Sequence, residues 1–355
     1  MGTSSPSEYL TILEEAWQQH LAAREVDAPT VISLFAGCGG SSLGYSMAGF
    51  KELLAVEWND NAVETFKLNF PDVPVYHGDI TKLSVEEVLQ ITGLEAGQLD
   101  VLDGSPPCQG FSTAGKRIMD DPRNSLFREY VRLLRGLRPK VFVMENVSGM
   151  VKGKMKLIFV EILKELKASG YKVSARLLNA MCFNVPQSRE RMIFVGVRED
   201  LGIEPSHPRA ERKPWTVEEA IGYLPIGEPG DHQPQVIAAW ERSRPGQSLR
   251  KTDRFVGSFQ SVRLDPNKPS GTQIKAHLNW HYLIPRQLTL TEAGLIQSFP
   301  ETYGWIGTKE EAKERIGNSV PPLLMRSIAK HIRETILAPT AALQEPVEIG
   351  LSKNG

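Results

Sequence analysis

From Thr30 onward, short apolar runs alternate with stretches in which apolar residues recur every three or four positions. The runs Val31–Phe35, Glu52–Val56, Leu99–Leu102, Val141–Met144 and Met192–Val197 predict strands. Between them, Asn61–Phe70, Ser84–Ile91, Arg123–Leu137 and Met155–Ser169 have helical spacing. This rhythm is that of an α/β domain built on a mostly parallel sheet. Upstream, Ser5-Pro6-Ser7-Glu8 reads as a capping box with proline at the first helical position, and it opens a helix running to about Arg24. The rhythm stops near residue 200. Residues to about 280 are rich in Pro, Gly, Arg and Ser with weak periodicity, which predicts a second, smaller unit of short strands and loops. Helical pattern returns at Thr291–Gln297 and from Pro322 to about Leu337. The expected organisation is a helical extension at 1–27, a large α/β domain at 28–199 completed by 318–340, a small domain at 200–317, and a flexible tail at 341–355.

Composition bounds the function classes. With 355 residues, 41% apolar and 23% charged, the chain has the make-up of an ordinary globular protein. No apolar run is long enough to span a bilayer, and the polar, acidic N-terminus lacks a signal-peptide pattern, so a soluble, cytoplasmic protein is expected. Cys38, Cys108 and Cys182 are widely spaced, which fits neither a disulfide framework nor a metal-ligand pattern. The formal charge of −1 argues against bulk electrostatic coating of nucleic acid. A local patch from Arg242 to Lys275 nevertheless carries eight basic residues against two acidic ones, a balance of +6. Taken alone, such a patch is a solvated surface.

Candidate chemistry gathers at the predicted strand ends. The first strand runs into Phe35-Ala36-Gly37-Cys38-Gly39-Gly40 and then a helix, a glycine turn of the kind that lets backbone approach a ligand. It is no phosphate-binding loop, because no Gly-Lys-Ser/Thr follows. Glu57-Trp58 then offers a carboxylate for ribose hydroxyls beside a flat aromatic for a base, and Asp79-Ile80 ends the next unit. Together these point to an adenosine-containing cofactor. In Asp100-Val101-Leu102-Asp103-Gly104-Ser105-Pro106-Pro107-Cys108-Gln109-Gly110-Phe111-Ser112, an apolar strand meets two stiffening prolines and a cysteine, followed by a polar segment through Lys116, Arg117, Asp121 and Arg123 suited to closing over a substrate. A thiolate near such a cofactor suits alkylation at cytosine C5, a poor nucleophile until sulfur adds at C6. That addition needs an acid near N3 and donors near O2. Glu145 ends the next strand, and Arg189 and Arg191 lead into another, alternate residues of an extended segment. Cys182, in an apolar setting, reads as core packing, and Cys38 as backbone beside the cofactor.

At this point the sequence resembles the DNA (cytosine-5)-methyltransferases, from Ser33 to about Ala329 and in family order. The motifs are Phe-Ala-Gly-x-Gly-Gly at 35–40, Pro-Pro-Cys-Gln at 106–109, Glu-Asn-Val at 145–147 and Gln-x-Arg-x-Arg at 187–191. Arg-x-Leu-Thr at 286–289 follows, with Glu292 and Gln297-x-Phe299-Pro300, and then Gly-Asn-Ser-Val at 317–320. The resemblance implies a Rossmann-like fold that binds S-adenosylmethionine, plus a smaller target-recognition domain at 200–317. It implies Cys108 as the attacking thiolate, Glu145 on N3 and N4, and Arg191 with Arg189 as the charge-stabilising pair. Phe35, Gly37, Cys38, Gly40, Glu57, Trp58, Asp79, Ile80, Pro107 and Leu126 would meet the cofactor, with Asn318, Ser319 and Val320 closing its site. Gln109, Ser112, Lys116, Arg117, Arg250, Lys251 and Arg254 would meet double-stranded DNA, whose target cytosine must be flipped out. The compact size resembles the prokaryotic members, implying a monomer on DNA and a companion restriction endonuclease or an orphan role.

Rival readings fare worse. An exocyclic amino methyltransferase needs no nucleophile and carries an aromatic residue where this chain has Cys108. The tRNA-modifying relatives carry a Cys-Phe-Thr tripeptide that this chain lacks. A silent DNA-binding relative has no need to keep thiol, acid and cofactor motif together.

Overall fold

The structure is a computed structural model, and it describes residues 7–107, 125–151, 155–211, 214–253 and 261–340. After α1 (Glu8–Leu21), the chain builds β1 (Thr30–Leu34), α2 (Gly40–Met47), β2 (Lys51–Glu57), α3 (Asp60–Asn69), β3 (Val75–His77), α4 (Val85–Thr92) and β4 (Val101–Gly104). It continues through α5 (Ser125–Leu137), β5 (Val141–Val147), α6 (Met155–Lys167), β6 (Tyr171–Asn179) and β7 (Glu190–Arg198). The strands form one sheet in the order β3-β2-β1-β4-β5-β7-β6, in which β7 runs antiparallel to both neighbours and the other pairings are parallel. The apolar runs are nearly continuous because both faces are covered. Val31, Val101, Val143 and Val195 pack with α1, α2 and α11 (Pro322–Ile332), while Ile32, Leu102, Phe142 and Phe194 pack with α4, α5 and α6.

The second region contains α7 (Val217–Ile221), α8 (Pro234–Arg242), α9 (Leu290–Ile296) and α10 (Lys309–Asn318). The short strands expected there are single-residue bridges among the described residues, such as Ser248 to Val262 and Arg263 to Trp280. What holds this region is side-chain packing. Trp240, Leu249 and Trp280 form a small apolar cluster of their own, and Leu264, Leu278, Leu288 and Phe299 merge into the main core.

The N-terminal helix is capped by Ser7, whose hydroxyl accepts the Leu10 amide, so the cap lies two residues beyond the expected Ser5. It packs on α2 and α7, and the Tyr9 hydroxyl donates to the Leu295 carbonyl. The extension is thus built into the main core. Helix α11 crosses α2 so closely that a Cβ on Gly44 would lie 2.5 Å from the Met325 Cβ, and this crossing returns the C-terminal segment to the sheet edge that carries the glycine turn. No helix among the described residues is long and apolar enough to cross a membrane.

Candidate active site

A cleft of about 640 Å³ opens over the carboxyl ends of the strands. It lies where the strand order reverses between β1 and β4, the place where open parallel sheets leave room for a ligand. Phe35, Gly37, Cys38 and Gly40 line it from the turn after β1, and Glu57 and Trp58 from the end of β2. Asp79 and Ile80 reach it after β3, Pro107 after β4, and Leu126 from α5. Asn318, Ser319 and Val320 close it from the far end of the chain. Every residue assigned to the cofactor on sequence lines this one cavity. Ser41, Asn59, Asp103, Ser105 and Arg315 line it too, and sequence reasoning passed over them.

Local conformation explains the residue types. Phe35, Gly37 and Gly39 all have positive φ, at 58°, 57° and 95°, so the chain turns sharply off β1 and brings backbone amides to the cleft. At Gly37 a Cβ would meet nothing within 4 Å, so the space beside it is open for a ligand. The buried Glu57 carboxylate gathers three backbone donors, Gly37 N at 2.8 Å and the Trp58 and Asn59 amides at 2.9 Å. These bonds fix its position, yet a carboxylate has lone pairs to spare for a ligand hydroxyl. Trp58 is 75% exposed, an indole held at the cleft mouth where a flat ring can stack on it. Asp79 caps the turn that follows, accepting the Thr81 amide at 2.9 Å, and that bond holds its carboxyl below the usual range.

The C-terminal segment abuts the glycine turn. A Cβ on Gly40 would stand 2.5 Å from the Val320 carbonyl oxygen, so only glycine permits the approach. Tyr303 donates its hydroxyl to the Cys38 carbonyl, and the Cys38 thiol lies 3.1 Å from the Ser319 hydroxyl. Burial pushes that thiol up to about 11, so Cys38 is an inert packing group. A buried glutamine pair ties the segment down: Gln187 donates to Gln297, and Gln297 donates to the Ser319 carbonyl at 2.7 Å.

Beside the cleft, β5 and β7 bring together a second group. Glu145 is 8% exposed, and its carboxylate meets the Arg191 guanidinium at 2.7 Å. Asn146, part of a sequence motif but given no role there, donates to the Pro106 carbonyl at 3.2 Å and so pins the Pro-Pro segment to the end of β5. Arg189 departs from the expected pairing with Arg191. It is 1% exposed and donates at 2.8 Å to the carbonyls of both Gln273 and Gly317. Burial and the nearby Arg191 charge lower its affinity for its proton to about 9. Its guanidinium is a strut between two distant segments. Cys108, Gln109, Ser112, Lys116, Arg117 and Arg254 lie outside the described residues.

A family model for C-5 cytosine-specific DNA methylases matches residues 29–225 and 234–334. The chain belongs to the C-5 cytosine-specific DNA methylases. It is 37% identical over 331 residues to the type II methyltransferase M1.HphI of Haemophilus parahaemolyticus, covering 85% of this chain and 86% of that protein. It is 33% identical over 369 residues to M.DdeI of Desulfomicrobium norvegicum, covering 85% and 88%. A solved structure titled as a DNA modification methyltransferase encoded within an E. coli prophage superposes with a TM-score of 0.75 at 26% identity, over 87% of this chain and all of that one.

In this methylase the basic patch is only partly a surface. Arg242, Arg244, Arg250 and Lys251 are exposed, whereas Arg263 stacks 3.8 Å over the Trp240 ring and donates to the Ser243 and Tyr282 carbonyls. Arg263 therefore holds the region together.

Under the glycine turn the methylase buries two acids that the motifs do not mention. Glu52 accepts the Ser42 hydroxyl at 2.9 Å while its other oxygen has no partner, and Asp103 receives the Tyr45 hydroxyl at 3.3 Å. Burial raises Glu52 to about 7 and Asp103 to about 8, and the neighbouring Glu52 and Glu145 further disfavour the Asp103 anion. The unfolded chain gives up these protons first. Stability is therefore lost as pH rises from about 4, the unfolded value, to about 8, the buried one. Thermal unfolding followed across that window should show a falling midpoint, and Glu52→Gln should flatten the fall. An identical slope in parent and variant would remove Glu52 from the account.

Proposed function

We propose that the methylase converts cytosine in double-stranded DNA to 5-methylcytosine, using Cys108 as covalent nucleophile and S-adenosylmethionine as methyl donor. The observation that carries the reading is the single cleft that joins the glycine turn, Glu57, Trp58, Asp79 and Asn318–Val320 to Pro107, next to the Glu145–Arg191 pair. These residues fit the donor: Glu57 for the ribose hydroxyls, Trp58 for the adenine face, Asp79 and Ile80 for the adenine edge, and Asn318 and Ser319 at the closing wall. When bound, S-adenosylmethionine supplies an electrophilic methyl group on a positively charged sulfur.

The chain's own residues supply the rest. Cytosine inside a duplex is out of reach, so the base leaves the stack and enters the site. The Cys108 thiolate forms a bond to C6, and the ring's C5–C6 electron pair moves to C5, with the added charge spread toward N3. Glu145 holds N3 and the exocyclic amine as that charge develops, and Arg191 positions Glu145 while offering a cation to O2. C5 takes the methyl group, and the electron pair of the broken sulfur–methyl bond stays on the donor sulfur, which becomes neutral. Loss of the C5 proton to water then restores the double bond and expels Cys108 as thiolate. Arg250 and Lys251, with Arg254, meet phosphates, and Gln109, Ser112, Lys116 and Arg117 approach the flipped base. The protein works as a monomer on DNA in the prokaryotic cytoplasm. The type II relatives support a companion endonuclease that spares the methylated sequence.

The test is to incubate the protein with S-adenosylmethionine and unmethylated mixed-sequence DNA and to map 5-methylcytosine at base resolution. Modification confined to one short sequence is expected, and that site carrying 5-fluorocytosine should trap a complex stable to denaturant. An active enzyme that fails to trap would sink the covalent route. Absence of 5-methylcytosine, with cofactor and DNA both bound, would sink the reaction itself.

A further inference from the structure

Glu314 lines the cleft from α10 and meets Lys275 at 4.0 Å. Of the three acids that reach the cleft from the strand ends, Glu57, Asp79 and Asp103, only Asp103 has no task in the proposed recognition of adenosine. Glu57 is committed to three amides and the ribose, and Asp79 caps an exposed turn. Asp103 sits at the end of β4, 2% exposed, lining the cleft together with Ser41 and Ser105. Its strand runs directly into Ser105-Pro106-Pro107-Cys108, so of these three acids it is the closest along the chain to the reacting thiol. Methyl transfer requires the donor sulfur to lie at this end of the cleft, within reach of a base attached to Cys108. A buried carboxyl in an apolar strand is costly, and packing alone would favour an apolar residue here. The bases that line the cleft, Arg315 and Lys275, come with Glu314 from the C-terminal part of the chain, whereas Asp103 lies on β4.

We propose that Asp103 is the residue by which the cleft distinguishes the cationic methyl donor from its neutral demethylated product. The inference rests on the reading of the cleft as a site for S-adenosylmethionine. A positive sulfur over this wall is attracted by the carboxylate. Methyl transfer removes that charge, so the same carboxylate gives the product no hold, and release becomes easier. The groups facing Asp103 are Tyr45 and Ser41 of α2, Glu52 of β2, Glu145 of β5 and Tyr130 of α5. None of these neighbours is a base, so among the described residues no fixed cation already neutralises Asp103. Because its proton is lost only near pH 8, the preference for the cationic ligand grows as the carboxyl ionises.

The test measures the affinities of S-adenosylmethionine and S-adenosylhomocysteine by calorimetry, for the parent and for Asp103→Asn. The variant keeps an acceptor for Tyr45 and removes the charge. It should bind the cationic ligand on the order of tenfold more weakly and the neutral one within about twofold of the parent. Equal losses for both ligands, or none, would overturn the assignment. In the parent alone, the ratio of the two affinities should rise between about pH 6 and about pH 9, around the Asp103 value. The amino-acid group common to both ligands cancels in this ratio. A flat ratio in the parent, or one that still rises in the variant, would assign the discrimination elsewhere. This series keeps the proposal decidable should the variant not fold. A parent that binds neither compound would instead overturn the reading of the cleft.

Discussion

Cys108→Ala is expected to lower methyl transfer by roughly 10⁴-fold or more, the scale of losing a covalent nucleophile, with S-adenosylmethionine binding within a few-fold of the parent. The separation of the two effects follows from the geometry of the described segment that precedes Cys108 in the chain. The cleft is walled by Pro107 and the ends of β1 and β2, and the Pro-Pro segment is held through Pro106 by Asn146, so cofactor binding draws on a frame that the substitution leaves intact. No other cysteine can stand in. The Cys38 thiol is buried against Ser319 and pushed up to about 11, and Cys182 sits at the margin of the main core. Transfer of labelled methyl groups into DNA, measured beside cofactor affinity, separates the cases. An alanine variant that still turns over at even one percent of the parental rate would rule out thiolate addition as the main route. Loss of cofactor binding in step with activity would make Cys108 a structural residue.

The part of the site that could be read from sequence is the part that lies at the ends of buried strands. Glycine turn, Glu57, Pro107 and Glu145 each follow an apolar run, and parallel pairing forces their ends to one edge. What escaped the reading lacks that signal. Strand β3 is three residues long and half exposed, and β6 is an edge strand whose Ser174, Arg176 and Leu177 show no alternation in burial. Helix α10, Lys-Glu-Glu-Ala-Lys-Glu-Arg-Ile-Gly-Asn, has too few apolar residues to mark a face, although its Thr308–Glu311 capping box was there to be read. Asp103 follows the apolar run Leu99–Leu102 with nothing local to mark it as buried, because its surroundings include Tyr45 and Glu52 from elements far away in sequence. The small domain's loops have no period, since they are held by Trp240, Arg263 and the Arg286–Glu292 ion pair rather than by ladders.

Arg189 shows how a sound local rule can assign the wrong partner. Alternation puts residues 189 and 191 on one side of an extended segment, but β7 begins at Glu190, and Arg189 turns inward before the ladder starts. Its guanidinium then fills the gap between Gln273 and Gly317, the residue before the cleft-lining Asn318. Arg189→Ala would leave two buried carbonyls without donors and a cavity beside them, a loss of about 3–5 kcal/mol in unfolding free energy. Because Gly317 leads into Asn318, Ser319 and Val320, the variant should also bind S-adenosylmethionine more weakly. Arg189→Lys can reach one carbonyl at best and should fall between the two. Denaturant unfolding and cofactor titration on both variants decide between strut and reacting-base contact. A strut loses stability and cofactor affinity together, with the bound-state rate less affected. A fall in that rate alone, at unchanged stability and cofactor affinity, would return Arg189 to the side of the base.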